Sequence, residues 1–153
     1  MWAIRTPDIE DWEAVKALWE ELQASPQAKH VDGDLFVLKE FLKASWTSPM
    51  LNVWGAFADG VCLALVITQI ISAPEVRNSQ VVNVPSLFIR AVYTKKGAPP
   101  KVTRDLDETI TVFAKQVGCA NITGACRMDF PVAAAQRRHG YTSSHIIMSK
   151  KVT

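Results

Sequence analysis

Ser86-Leu-Phe-Ile-Arg-Ala-Val-Tyr-Thr94, then Lys95-Lys-Gly-Ala-Pro-Pro100, then a run marked by Val102, Leu106, Ile110, Phe113 and Val117, is the stretch on which the fold turns. Leu87, Ile89, Ala91 and Tyr93 alternate with Phe88, Arg90 and Val92, the period of a strand. Lys95 to Pro100 breaks that strand with one glycine and two prolines. The apolar positions that follow recur every three or four residues and so share one side of a helix. Proline is tolerated in the first turn of a helix, where its missing N–H is no loss, and Gly118 stands just past the expected end. The reading is strand, loop and helix over residues 86–117.

Outward from this unit the periods stay clear. Trp2–Arg5 alternates as a short strand, and Thr6-Pro7-Asp8 supplies a turn and a cap. Ile9, Trp12, Val15, Leu18, Trp19 and Leu22 then form one helical stripe, with Glu10, Glu13, Lys16, Glu20 and Glu21 off it. A loop through Ser25 and Pro26 to Gly33 leads to a second helix through Leu35, Leu38, Phe41 and Leu42, ending before Pro49. Two strand-like runs flank Asp59-Gly60, a dipeptide that suits a type I′ turn because both positions need positive φ. Residues 72–85, polar and with a proline near each end, read as a long loop. Downstream, Ala120–Arg127 predicts a strand, Phe130–Arg138 a short helix closed by Gly140, and Thr142–Val152 a last strand. The order is strand, two helices, three strands, helix, strand, helix, strand, without an internal repeat or linker.

Bulk properties limit the function classes. The chain has 153 residues, the length of about one domain, and we expect a single domain over 1–153. A net charge of +2 lacks the footprint of a dedicated nucleic-acid binder. No run is long and apolar enough to cross a bilayer as a helix, and the acids after Arg5 do not follow the pattern of a signal peptide. Cys62, Cys119 and Cys126 form no C-x-x-C pair and no disulfide framework, so a reducing, cytoplasmic setting is expected. Cys62 and Cys119 read as small buried residues. His30, His139 and His145 are too dispersed for a metal site, and none is expected.

This succession of elements, with the strand-loop-helix at 86–117 and the Arg138-His139-Gly140-Tyr141 that ends the last helix, resembles the GNAT superfamily of acetyl-CoA-dependent N-acetyltransferases. The resemblance covers nearly the whole chain. It implies an α/β fold whose central mixed, mostly antiparallel sheet is flanked by helices and splayed beside Gly97. It also implies acetyl-CoA as cofactor and transfer of an acetyl group to an amine of a small molecule or protein. In that family a Gln or Arg, two residues, Gly, one residue, then Gly or Ala lead into the helix that binds the diphosphate. Here Thr94-Lys95-Lys96-Gly97-Ala98-Pro99 keeps only Gly97 in place, and Thr94 stands where Gln or Arg is expected. The physical requirement is a run of backbone N–H groups and a positive helix end aimed at an anion. Cofactor-binding candidates are therefore Lys95, Lys96, Gly97, Ala98, Lys101 and Arg104. Against them stand Asp105, Asp107 and Glu108, carboxylates that would already satisfy an early helix turn.

The resemblance also calls for a proton donor near the thiolate, often a Tyr on the last helix; Gln136 occupies that position and His139 is the nearby substitute. Strands 86–94 and 120–126 carry no carboxylate, which leaves Glu75 and Asp129 as base candidates, Asp129 also being placed to cap the helix at Phe130. Trp46 and Trp54 flank the neighbourhood that lines the acceptor site in the family and are candidates for substrate or partner contact. The alternative is a catalytically inactive relative that keeps the architecture as a binding or assembly module, such as a phage-encoded structural protein of the virion. A homo-oligomer or larger assembly is compatible with either.

Overall fold

Asp8 opens the first helical segment by a reciprocal cap: its Oδ1 accepts from the Glu10 N–H at 2.9 Å, and Asp11 Oδ2 accepts from the Asp8 N–H at 2.9 Å. Arg5 grips the same Asp11 carboxylate, at 2.7 Å through its second guanidinium nitrogen. The computed structural model describes residues 1–24, 35–124 and 140. It divides into two units, Met1–Thr123 and Gly124–Thr153. The expected helix at 130–138 and strand at 142–152 lie outside the described residues, as does the loop at 25–33.

The described elements are β1 (Ala3–Arg5), a 3-10 turn (Ile9–Asp11), α1 (Trp12–Gln23), α2 (Leu35–Ser45), β2 (Leu51–Ala58), β3 (Val61–Arg77), β4 (Gln80–Thr94), α3 (Pro100–Gln116) and β5 (Asn121–Gly124). They follow the expected order over the described residues. The strands form one sheet in the order β1-β2-β3-β4-β5, and β1–β2, β2–β3 and β3–β4 pair antiparallel. Asp59 and Gly60 take φ of 50° and 75°, which is the I′ geometry expected between β2 and β3.

Each face of the sheet carries its own layer. Val15 and Leu18 of α1 and Leu38 and Leu42 of α2 bury against Val53, Leu65, Ile67 and Tyr93. On the opposite face α3 seats Val102, Leu106, Ile110 and Ala114, all buried. Burying side chains of this size contributes about 1.5–3 kcal/mol each, so these two stripes hold the helices to the sheet. Ile9, expected in the first stripe, is 59% exposed because it belongs to the 3-10 turn ahead of α1. No described helix is long and apolar enough to cross a membrane.

The expected loop at 72–85 is instead a continuous β-hairpin. Asn78 and Ser79, at φ 51° and 61°, make a two-residue turn between β3 and β4. Arg77 faces Gln80 across it, and the pairing continues through Pro74 opposite Asn83 and Ser72 opposite Pro85. In such a hairpin the turn-flanking pair is hydrogen-bonded and later pairs alternate. Pro74 and Pro85 therefore fall at positions whose N–H would point away from the partner strand, and neither removes a rung of the ladder. Ile70, in the same phase, confirms the register: its N–H turns outward to the Met50 carbonyl oxygen at 2.7 Å.

Candidate active site

One hydrogen bond and one glycine shape the connection from β4 to α3. The Ala98 N–H donates to the Lys95 carbonyl at 3.1 Å, and Gly97 takes φ +79°, as the third position of a type II turn requires. A Cβ at Gly97 would meet nothing within 4 Å, so the space in front of the turn is open. The turn is anchored to the sheet by the Lys95 N–H, which donates to the Leu63 carbonyl at 2.8 Å.

Pro99 is the residue before the helix and Pro100 its first residue. An N–H at either place would have no acceptor inside the helix, so the proline pair does not weaken it. The Lys96, Gly97 and Lys101 N–H groups have no acceptor among the described residues. No side chain caps this helix and its first turn holds no acidic residue. Asp105 lies in the second turn, where it accepts a hydrogen bond from Trp2 Nε1 at 3.0 Å. The expectation that carboxylates satisfy the helix end is therefore not met, and the arrangement offers the donor set of an anion site.

The lysines around the turn separate into two kinds. Lys95 Nζ lies 2.7 Å from Glu21 Oε2, a pair that ties α1 to the turn and occupies the Lys95 charge. Lys101 Nζ sits 5.9 Å from the centre of the Trp2 ring. Lys96 and Arg104 are exposed and make no ion pair among the described residues.

β4 does not keep one period over its length. Ile67 faces Ala91 and Thr68 faces Ile89, so Arg90 is left unpaired as a β-bulge. Before the bulge, Ile89 shares the face of Thr68; after it, Ala91 and Tyr93 pack with α1 and α2. The expected single face of Leu87, Ile89, Ala91 and Tyr93 is thus split in two. Arg90 itself donates from a terminal guanidinium nitrogen to Gln69 Oε1 at 2.6 Å and lies 5.1 Å over the Phe41 ring of α2. The chain enters β5 beside Pro85 and Ser86, where Ala120 N–H donates to the Pro85 carbonyl at 3.0 Å and Ser86 Oγ donates to the Asn121 carbonyl at 3.3 Å. The four residues of β5 that start there do not reach past Arg90.

Other candidates are placed elsewhere. Trp54 lies on the α3 face, donating from Nε1 to Thr68 Oγ1 at 3.0 Å and meeting Phe113 edge-on at 5.0 Å. It lines a groove of about 380 Å³ with residues from Glu108 to Gln116, the C-terminal half of α3 and so away from the turn. Trp46, by contrast, follows α2 and donates to the Pro7 carbonyl at 2.9 Å. The two tryptophans are not brought together. Glu75 pairs with Arg77 at 2.8 Å near the hairpin tip. It stands twelve residues along β3 from Leu63, the anchor of the Lys95 turn, which is roughly 40 Å of strand. That separation removes Glu75 from the chemistry of the turn. His139, Gln136 and Asp129 lie outside the described residues. Cys62 is buried, which pushes its thiol up to about 12 and keeps it protonated; Cys119 is partly exposed, not buried as expected. Sequence reasoning missed the bulge, because alternation alone does not reveal where a strand gains a residue, and the Lys95–Glu21 pair, whose members are 74 positions apart.

No family model matches the sequence, and no curated protein matches it. Among solved structures, a GNAT family acetyltransferase of Staphylococcus aureus is similar at 15% identity and TM-score 0.67, over 99% of this chain and 98% of that one. The chain has the fold of the GNAT acetyltransferases. The GNAT fold is seen also in aminoglycoside acetyltransferase AAC(6')-Iy, in complex with the bisubstrate analogue CoA-S-monomethyl-acetylneamine, at TM-score 0.73 and 15% identity over 100% and 99% of the two chains. A transcriptional regulator of Bacillus halodurans is similar at TM-score 0.75 and 15% identity, over 99% and 100%. The α/β architecture with a mostly antiparallel sheet between helices, expected from the sequence, is thereby established.

Proposed function

We propose that this chain is an acetyltransferase that binds acetyl-CoA at the Lys95–Ala98 turn and transfers the acetyl group to an amine. The observation that carries the reading is the set of N–H groups at Lys96, Gly97 and Lys101 that have no acceptor among the described residues, in front of a helix whose first turn has no acid. Those three amides would hold the diphosphate, and the open space at Gly97 admits it. Lys96 and Arg104 would add charge-assisted bonds to phosphate oxygens, Lys101 contributing its amide and Ala98 the closing bond of the turn. Lys95 acts on the shape of the site through Glu21 and not on the ligand. Acetyl-CoA supplies the activated acyl group when bound. The bulge at Arg90 re-aims the backbone of β4 ahead of the turn. The structures of AAC(6')-Iy and the Staphylococcus protein, which share this fold, support the assignment by analogy of fold.

Thermal unfolding with and without acetyl-CoA tests the reading. A ligand at a hundred times its Kd stabilises the native state by about 2.7 kcal/mol, and we expect that stabilisation to shrink in Lys96→Glu and Arg104→Glu. No stabilisation at millimolar acetyl-CoA would overturn the reading in favour of an inactive module with the same architecture.

A further inference from the structure

We infer that the acceptor amine of the proposed reaction carries an oxyanion, a carboxylate or phosphate, and that Arg90 binds it. The inference rests on the acetyltransferase reading and names its substrate class. Arg90 is the residue that the β4 bulge adds to the strand, and its side chain goes to the α1/α2 face, where Gln69 and Phe41 hold it at 2.6 Å and 5.1 Å. A neutral amide and an aromatic face fix a guanidinium without neutralising it. Among the described residues one of its five N–H donors is used, and the rest form the planar fork that matches a carboxylate or a phosphate.

Most charges on the neighbouring elements are engaged elsewhere. On α1, Glu21 pairs with Lys95 at 2.7 Å and Glu20 with Lys16 at 3.9 Å; on α2, Glu40 pairs with Lys43 at 3.6 Å. Lys39 of α2 is drawn to Trp12, at 5.3 Å from its ring. Residues 86–94 contain no carboxylate, so Arg90 has no acidic partner among the described residues. A polycationic amine arriving here would be repelled by the guanidinium, whereas an amine with an adjacent oxyanion would be bound and oriented by it. The position is appropriate for an acceptor. Four residues of strand, about 13 Å, separate Arg90 from Thr94 and the turn, within reach of the extended arm that joins the diphosphate of coenzyme A to its thiol.

The test uses the full chain and two readouts, thermal shift and acetyl transfer, over α-amino acids, amino-sugar phosphates, their matched amines without the oxyanion, and spermidine. The wild type is expected to be stabilised by the anionic amines and to acetylate them with kcat/KM at least tenfold above the matched neutral amines. Arg90→Gln should abolish that preference, Arg90→Lys should restore part of it, and neither should change the shift given by acetyl-CoA alone. The carboxylate and phosphate arms identify the oxyanion. Equal use of neutral amines or spermidine by the wild type, or a preference untouched in Arg90→Gln, would overturn the inference. Failure of acetyl-CoA to bind would count against the acetyltransferase reading alone. The anionic-amine shift then decides the role of Arg90: present in the wild type and lost in Arg90→Gln, it stands; absent in the wild type, it falls.

Discussion

The two ends of β4 both leave the sheet, and they do so in different chemistry. At the N-terminal end, the hairpin tip around Asn78-Ser79 projects past the last β2 pairing, Leu51 with Gln69, and leaves Val76 and Val81 71% and 73% exposed. At the C-terminal end, the strand stops at a tight turn that presents backbone N–H groups, one open glycine position and the cations of Lys96 and Arg104. Large apolar side chains are exposed at the first end, yet the second offers the donors that an anion can use. A site here comes from backbone polarity left over where a strand hands its chain to a helix, and side-chain exposure by itself confers none.

That contrast can be broken most severely by unseating α3. Leu106 is 1% exposed and faces the sheet, so Leu106→Ala should destabilise the protein by about 2–5 kcal/mol, measured by urea unfolding, and weaken the turn that α3 supports. Gly97→Ala is the sharper probe of the site end. Nothing would touch the new methyl group, so the change acts through the positive φ alone and should cost about 1–2 kcal/mol, with weaker acetyl-CoA binding besides. A gentler test concerns β1, which is tied to the entry of α1 by the Arg5–Asp11 pair. The Arg5 hydrogen bond holds the Asp11 carboxyl below its ordinary range. A depressed folded-state pKa gives stability that is present above the unfolded value of about 3.9 and is lost as pH falls through the folded value. Asp11→Asn should therefore flatten the decline of the urea midpoint between pH 5 and pH 2. Smallest of all, Val76→Thr with Val81→Thr at the hairpin tip should change stability by no more than about 0.5 kcal/mol per site and leave acetyl-CoA binding unchanged. A loss of binding there would erase the distinction between the two ends.

The same comparison explains what could be read from the residues alone. Asp59-Gly60 announced its turn because glycine accepts positive φ, whereas Ser79 adopts it without being a residue that advertises it. Pro74 and Pro85 read as chain breakers, although the phase of the ladder turns their missing N–H groups outward, and phase is a property of pairing. The helix from Pro100 was legible in its apolar spacing, and the turn before it in Gly97. Arg90 was not, since its unpaired state exists only relative to Ile67 and Thr68 on the next strand. Lys95 looked like a ligand-binding cation until the fold brought Glu21 of α1 to it. Local signals placed the elements; the contacts that sort site residues from structural ones are made between elements.

Amide chemical shifts of the isotopically labelled protein, followed as coenzyme A is added, address the central claim most directly. The largest perturbations should fall on the Lys96, Gly97 and Lys101 N–H groups, with Asn78, Ser79 and Val81 unmoved. Saturable binding that leaves Lys96, Gly97 and Lys101 in place while shifting another part of the sheet would contradict it.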